Sequence, residues 1–66
     1  MYADVAFPIS GFQTFTYKVP EALKSKIKIG SRIRAPFKTK LTTGIIVLLT
    51  EKTSYKGYLK SIEFVD

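Results

Sequence analysis

The sequence predicts a mostly β domain: a small antiparallel barrel or sandwich of about five to six short strands, with at most one short helical turn. Three observations point there. Apolar and polar residues alternate with a period of two over Tyr2 to Phe7, Thr14 to Val19, Lys26 to Ala35 and Leu59 to Val65, as on strands with one buried face. Glycine and proline punctuate the chain between and within these stretches, at Pro8, Gly11, Pro20, Gly30, Pro36, Gly44 and Gly57. A helical signal is confined to Pro20 to Leu23.

The first strand has Ala3, Val5 and Phe7 on one side and Tyr2 and Asp4 on the other, and Pro8 ends it. Pro8, Ser10 and Gly11 form a loop. The second strand, Thr14 to Val19, puts Phe15, Tyr17 and Val19 on one face and Thr14, Thr16 and Lys18 on the other, and is closed by Pro20, which offers no ladder donor. On periodicity, Phe15 and Tyr17 point into the core; an outward, base-stacking platform is the alternative. Pro20 suits a first helical position, and Glu21 lies near the positive end of the dipole.

From Lys26 the alternation resumes, with Ile27, Ile29, Ile33 and Ala35 on the inner parity and Lys26, Lys28, Arg32 and Arg34 outside. Gly30 marks a turn or bulge in that run, and Pro36 ends it. Lys38 to Thr43 reads as a hairpin connection into Gly44-Ile45-Ile46-Val47-Leu48-Leu49, a continuous apolar run expected of a strand buried on both faces at the centre of the core. Thr53 to Gly57 is a polar loop, with Tyr55 and Tyr58 in or beside it as the aromatics most expected to be exposed. The last strand sets Ile62 and Phe64 against Ser61 and Glu63. Residues 1–66 are read as a single domain without repeats or low-complexity tracts.

At 66 residues, the chain buries only about 60% of the surface its unfolded form exposes. It has no cysteine and no histidine, hence neither a disulfide nor the usual zinc ligands. A small domain without a staple fits a module of a larger protein whose neighbours share the burial. The formal net charge is +6, and Lys18, Lys24, Lys26, Lys28, Arg32, Arg34, Lys38 and Lys40 fall in one segment whose only acid is Glu21. A polyanionic partner follows from that clustering, against the plainer reading of a solvated basic surface. No signal peptide is expected, and the longest apolar stretch, GIIVLL, is far short of the roughly 20 residues of a membrane span. A soluble, cytoplasmic protein with no membrane partner is the expectation.

Catalysis by this chain alone is not expected. The five acids are scattered, no serine or threonine has a histidine to activate it, and no GxxxxGK[ST] run occurs. The glycines are read as backbone geometry rather than ligand sites. Binding remains, with Lys18, Arg32, Arg34 and Lys40 as candidate phosphate contacts.

The ordered set Thr14-Phe15-x-Tyr17, Pro20-Glu21, Lys28-x-Gly30, Arg32-x-Arg34-x-Pro36-Phe37, Gly44-Ile45-Ile46-Val47 and Leu59-Lys60, with the opening YADVAFPIS, resembles the N-terminal 3′ DNA-binding domain of the primosomal replication-restart helicases, the PriA (primosomal protein N′) family. The similarity runs from about Tyr2 to Asp66. It implies a module that recognises the 3′-hydroxyl end of the nascent leading strand at stalled replication forks. In that family a small pocket holds the terminal nucleotide largely through main chain and so tolerates all four bases. By position, the resemblance implies a pocket of Phe15, Thr16, Tyr17, Lys38 and Lys60. It further implies a longer parent protein, an ATP-dependent DNA helicase, whose other domains carry ATP and zinc; no cofactor is expected in this chain.

Two positions depart from the commoner family pattern: Thr16 stands where Phe-Asp-Tyr is usual, and Lys38 where Pro-Phe-Gly is usual. A carboxylate accepts a charge-assisted hydrogen bond from a hydroxyl, and threonine only a neutral one. Removing the carboxylate also removes repulsion of phosphate, and Lys38 adds attraction. The expected result is tighter general DNA binding with weaker selectivity for a free 3′-hydroxyl. The alternatives from other classes are a small β-barrel that binds protein, or an RNA-binding barrel that reads the 2′-hydroxyl.

Overall fold

The computed structural model describes residues 1–8, 11, 13–55 and 57–66. Ser10 and Lys56, in two of the expected loops, lie outside the described residues. The elements are β1 (Tyr2–Ala6), β2 (Thr14–Lys18), a 3-10 helix (Glu21–Lys26), β3 (Arg32–Phe37), β4 (Lys40–Thr50) and β5 (Phe64–Val65). All strand pairs are antiparallel, in one five-stranded sheet of order β2-β1-β4-β3-β5. No helix among the described residues is long and apolar enough to cross a membrane.

Period-two patterning builds the inner face of the sheet. Ala3, Val5 and Phe7 of the first strand region, Tyr17 of β2, Ile33 and Ala35 of β3 and Ile46 of β4 are all buried, with Val19, Ile27 and Ile62 from the connections completing the core. Phe7 is central: its ring centroid lies 6.1 Å from Phe15, 5.9 Å from Tyr17 and 5.0 Å from Phe37. Tilted and edge-on pairs of this kind add about 0.5–1.5 kcal/mol each beyond their buried area. Gly44 makes the cluster possible. A methyl group there would lie 2.5 Å from Val5 Cγ1 and 2.9 Å from Phe7 Cδ1, so the Val5 and Phe7 side chains pack over β4 where it has no Cβ.

The Gly44 to Leu49 run is not buried on both faces. Ile45, Val47 and Leu48 are exposed, and only Gly44 and Ile46 are fully inside. Asp4 pairs with Leu48 but Val5 pairs with Ile46, so Val47 is an extra residue in the ladder. That bulge shifts the parity and turns two successive side chains outward.

The 3-10 helix is longer than the predicted turn, and no strand begins at Lys26. Ser31 N–H donates to Lys28 C=O at 2.9 Å, closing a turn that leaves Ile29 outside the ladder and 62% exposed. Pro36 does not end β3, which runs on to Phe37. The carbonyls of Arg32 and Arg34 accept from Asp66 and Glu63, on the side away from β4. By alternation the missing N–H of Pro36 also faces that side, beyond the end of β5, so no ladder bond is lost. The turn into β4 is only Lys38-Thr39, with Phe37 paired to Lys40. At the C-terminal end, Ile62 is buried, but Phe64 is 53% exposed, because only Phe64–Val65 joins the ladder.

The sheet is not closed, and the gap lies between β2 and the opposite edge, formed by β5 and, beyond its end, by Pro36–Phe37 of β3. One end of that gap is filled by the C-terminal tail. Lys18 N–H donates to Lys60 C=O at 2.9 Å, Lys18 C=O accepts from Ile62 N–H at 3.0 Å, and Glu63 N–H donates to Arg34 C=O at 2.9 Å. Midway, the Tyr17 hydroxyl reaches across and donates to Pro36 C=O at 2.6 Å. The other end stays open.

Candidate functional site

The open end of the gap is a cleft of about 450 Å³, within the usual range of small-ligand sites. Its floor is aromatic: Phe15, Tyr17 and Phe37, with Phe15 and Phe37 centroids 5.0 Å apart. One wall is β2 from Thr14, another the turn at Lys38, and the third the segment of Tyr55, Tyr58, Leu59 and Lys60.

What β2 offers this cleft is main chain. Val19 N–H donates toward β1, to Met1 C=O at 3.0 Å, whereas both backbone groups of Lys18 point away from β1 to the tail. Peptide groups alternate along a strand, so those of Thr16 and Thr14 face the same way as those of Lys18. The tail stops short of them, and they border the cleft. The Thr16 hydroxyl is engaged elsewhere, donating to the Asp4 carboxylate at 2.8 Å across the outward face of the sheet. Its backbone, not its side chain, is therefore the group available to a ligand.

The cleft rim is cationic. Lys38 Nζ lies 5.6 Å from the centroid of the Phe37 ring, and Lys60 Nζ lies 3.5 Å from the carbonyl oxygen of Lys38. Lys38 holds this position with φ 57°, in the left-handed region, at the first residue of a two-residue hairpin turn. Glycine adopts that conformation without strain, and lysine at some cost. No acidic side chain lines the cleft among the described residues. Burial pushes the Tyr17 phenol above its usual value near 10. At neutral pH it is a fixed donor to Pro36.

Phe15, Thr16, Tyr17, Lys38 and Lys60 all border this one cleft. The four expected phosphate contacts do not. Lys18 is nearest, at the closed end, with Nζ 5.8 Å from the centroid of the Tyr58 ring that lines the cleft. Arg32 and Arg34 point outward on β3, Arg34 lying 3.8 Å from Asp66, and Lys40 opens β4 opposite Phe37. Sequence reasoning missed Thr14, Pro36, Phe37, Tyr55, Tyr58 and Leu59 as lining residues. Tyr55 and Tyr58 were legible as exposed aromatics, but their approach to β2 depends on tail contacts without a local signal.

A family model described as the 3′DNA-binding domain (3′BD) of PriA matches residues 4–66. A search of curated proteins returned no match to the chain.

Proposed function

Since the chain belongs to the PriA 3′ DNA-binding domain family, a family of DNA-binding modules, we propose that it takes the 3′-terminal nucleotide of a DNA strand in the cleft between β2, the Lys38 turn and the tail. The observation that carries this reading is the main-chain edge of Thr14 and Thr16, unpaired among the described residues, over an aromatic floor with a lysine rim. Peptide groups present one donor and one acceptor whatever the side chain, so an edge of this kind engages a base without selecting one. A free 3′-hydroxyl can donate to a carbonyl at that edge. A 3′-phosphate brings only acceptors and added charge, which the lysines attract and the carbonyls repel. Thr16 in place of an aspartate, with its hydroxyl turned to Asp4, removes one acceptor and narrows the preference for a free hydroxyl.

Under this reading the chain is the end-recognising part of a replication-restart helicase and acts at the nascent leading strand of stalled forks. ATP hydrolysis and zinc binding belong to other domains of that parent protein. This chain itself is not catalytic. Lys18, Lys38 and Lys60 give about three phosphate contacts, hence a log-log salt slope near −2 at about −0.7 per contact.

The test is fluorescence anisotropy with one short single strand ending in a 3′-hydroxyl and the same strand ending in a 3′-phosphate, at two salt concentrations. The expected result is tighter binding of the hydroxyl end, with Lys60→Ala weakening both strands and keeping the preference, because the lysine attracts phosphate and the main chain reads the hydroxyl. Equal affinity for both ends would overturn end recognition and leave a sequence-neutral basic face. Preference for an RNA version of the strand, or binding to none, would transfer the reading to an RNA-binding or protein-binding barrel.

A further inference from the structure

Tyr58 is 82% exposed, although its neighbour Leu59 is buried in the core. Its ring therefore contributes little to folding, yet it lines the cleft, beside Lys18. Tyr55 differs. It is 56% exposed, and its ring lies against the backbone of Gly57, where an added methyl would come within 2.8 Å of Tyr55 Cε2. One flank of Tyr55 is already covered, which makes it a wall. Tyr58 keeps its ring open, and the only cation near that ring among the described residues is Lys18, whose Nζ is 5.8 Å from the centroid. The Lys18 backbone is itself fixed, since both of its polar groups are bonded to the tail.

We infer that Tyr58 is a stacking position for the penultimate base of the bound strand, with Lys18 as the cation for the adjoining phosphate. This deepens the DNA-end reading and rests on it. The tail wall facing the Thr14–Thr16 edge carries two aromatic rings, Tyr55 and Tyr58, and Tyr58 is the more exposed of the two to the base that precedes the terminal nucleotide. Stacking there is indifferent to base identity, because every base has a π-face. A lysine beside the ring adds attraction for ring and phosphate together. Recognition then divides in two: main chain for the terminal nucleotide, and an aromatic face for its neighbour.

The experiment uses a short 3′-hydroxyl strand with 2-aminopurine at either the penultimate or the terminal position, titrated with the chain and with Tyr58→Ala and Tyr58→Phe. The wild-type chain and Tyr58→Phe should quench the penultimate probe equally. Tyr58→Ala should lose that quenching and about fivefold or more in affinity, while the change in the terminal probe persists once the strand is saturated. Unchanged penultimate quenching in Tyr58→Ala, or equal losses in Tyr58→Phe and Tyr58→Ala, would overturn the stacking role while leaving end recognition intact. Failure of the wild-type chain to bind any strand would sink both. Because Tyr58 is so exposed, its replacement should leave the urea midpoint where it was, which separates lost stacking from lost folding.

Discussion

The two halves of β2 run along the same sheet edge and end up with opposite fates. At Lys18 the edge is sealed by two main-chain hydrogen bonds to the tail. At Thr14 and Thr16 it has no main-chain partner among the described residues and borders a cleft floored with aromatic rings. Three cues separate them: the buried Leu59 and Ile62, which pin the tail beside Lys18; the Tyr17 hydroxyl, which spans the gap; and the two-residue turn at Lys38, which stops short of closing it. The candidate site is the part of the sheet edge that the chain does not close.

The sharpest break in this contrast is at the sealed half. Replacing Ile62, which is 1% exposed, with alanine should destabilise the fold by about 2–4 kcal/mol in urea unfolding, because a buried isoleucine leaves a cavity. The matching change at the open half, Thr14→Ala, should stay within about 0.5 kcal/mol, since Thr14 is exposed. Similar effects at the two positions would contradict the division into a sealed and an open half.

The spanning bond comes next. Tyr17→Phe removes the hydroxyl from Pro36 C=O and should cost about 0.5–1.5 kcal/mol, together with weaker binding of the 3′-hydroxyl strand as the cleft loses a tether. Tyr17 also gives this tether a pH dependence. Its folded pKa is raised above the unfolded value near 10, so the folded state holds the proton longer, and stability is fully present below pH 10 and lost as pH rises above it. A urea midpoint that falls between pH 9 and about 11 in the wild type, and falls less in Tyr17→Phe, is the expected outcome.

The smallest effect has the opposite sign. Lys38→Gly relieves a left-handed lysine and should stabilise the domain by about 0.5–1 kcal/mol, net of the added freedom of the unfolded chain. It should also weaken DNA binding and bring the salt slope about 0.7 closer to zero, through loss of one phosphate contact. A variant both less stable and unaltered in binding would show that Lys38 serves the turn alone.

The inner face of the fold was legible because alternation is a local signal. Ala3, Val5, Phe7, Tyr17, Ile33 and Ala35 were assigned to the core from parity and are buried there. The errors fall where one extra residue or one nonlocal bond changes the parity. The bulge at Val47 turned an apolar run into a half-exposed strand, and the turn at Lys28 to Ser31 removed Ile29 from the ladder. Pro36 read as a terminator because the sequence alone does not show that β5 stops short of it. The cleft was visible only through resemblance. Phe15, Thr16, Tyr17, Lys38 and Lys60 span much of the chain, and what gathers them is the tail crossing between two sheet edges. That geometry has no periodicity to betray it.

The edge at Thr14 and Thr16 also bears on how such a site can change over time. A catalytic serine or a metal-binding histidine is lost with one codon. A peptide group is supplied by every residue, and only proline lacks its N–H. Substitutions along this half of β2 can therefore accumulate without deleting the surface a ligand would touch, provided the strand keeps its register through Phe15 and Tyr17. Selection then acts on the inward aromatics, which hold the backbone still, more than on the residues whose backbone faces the cleft.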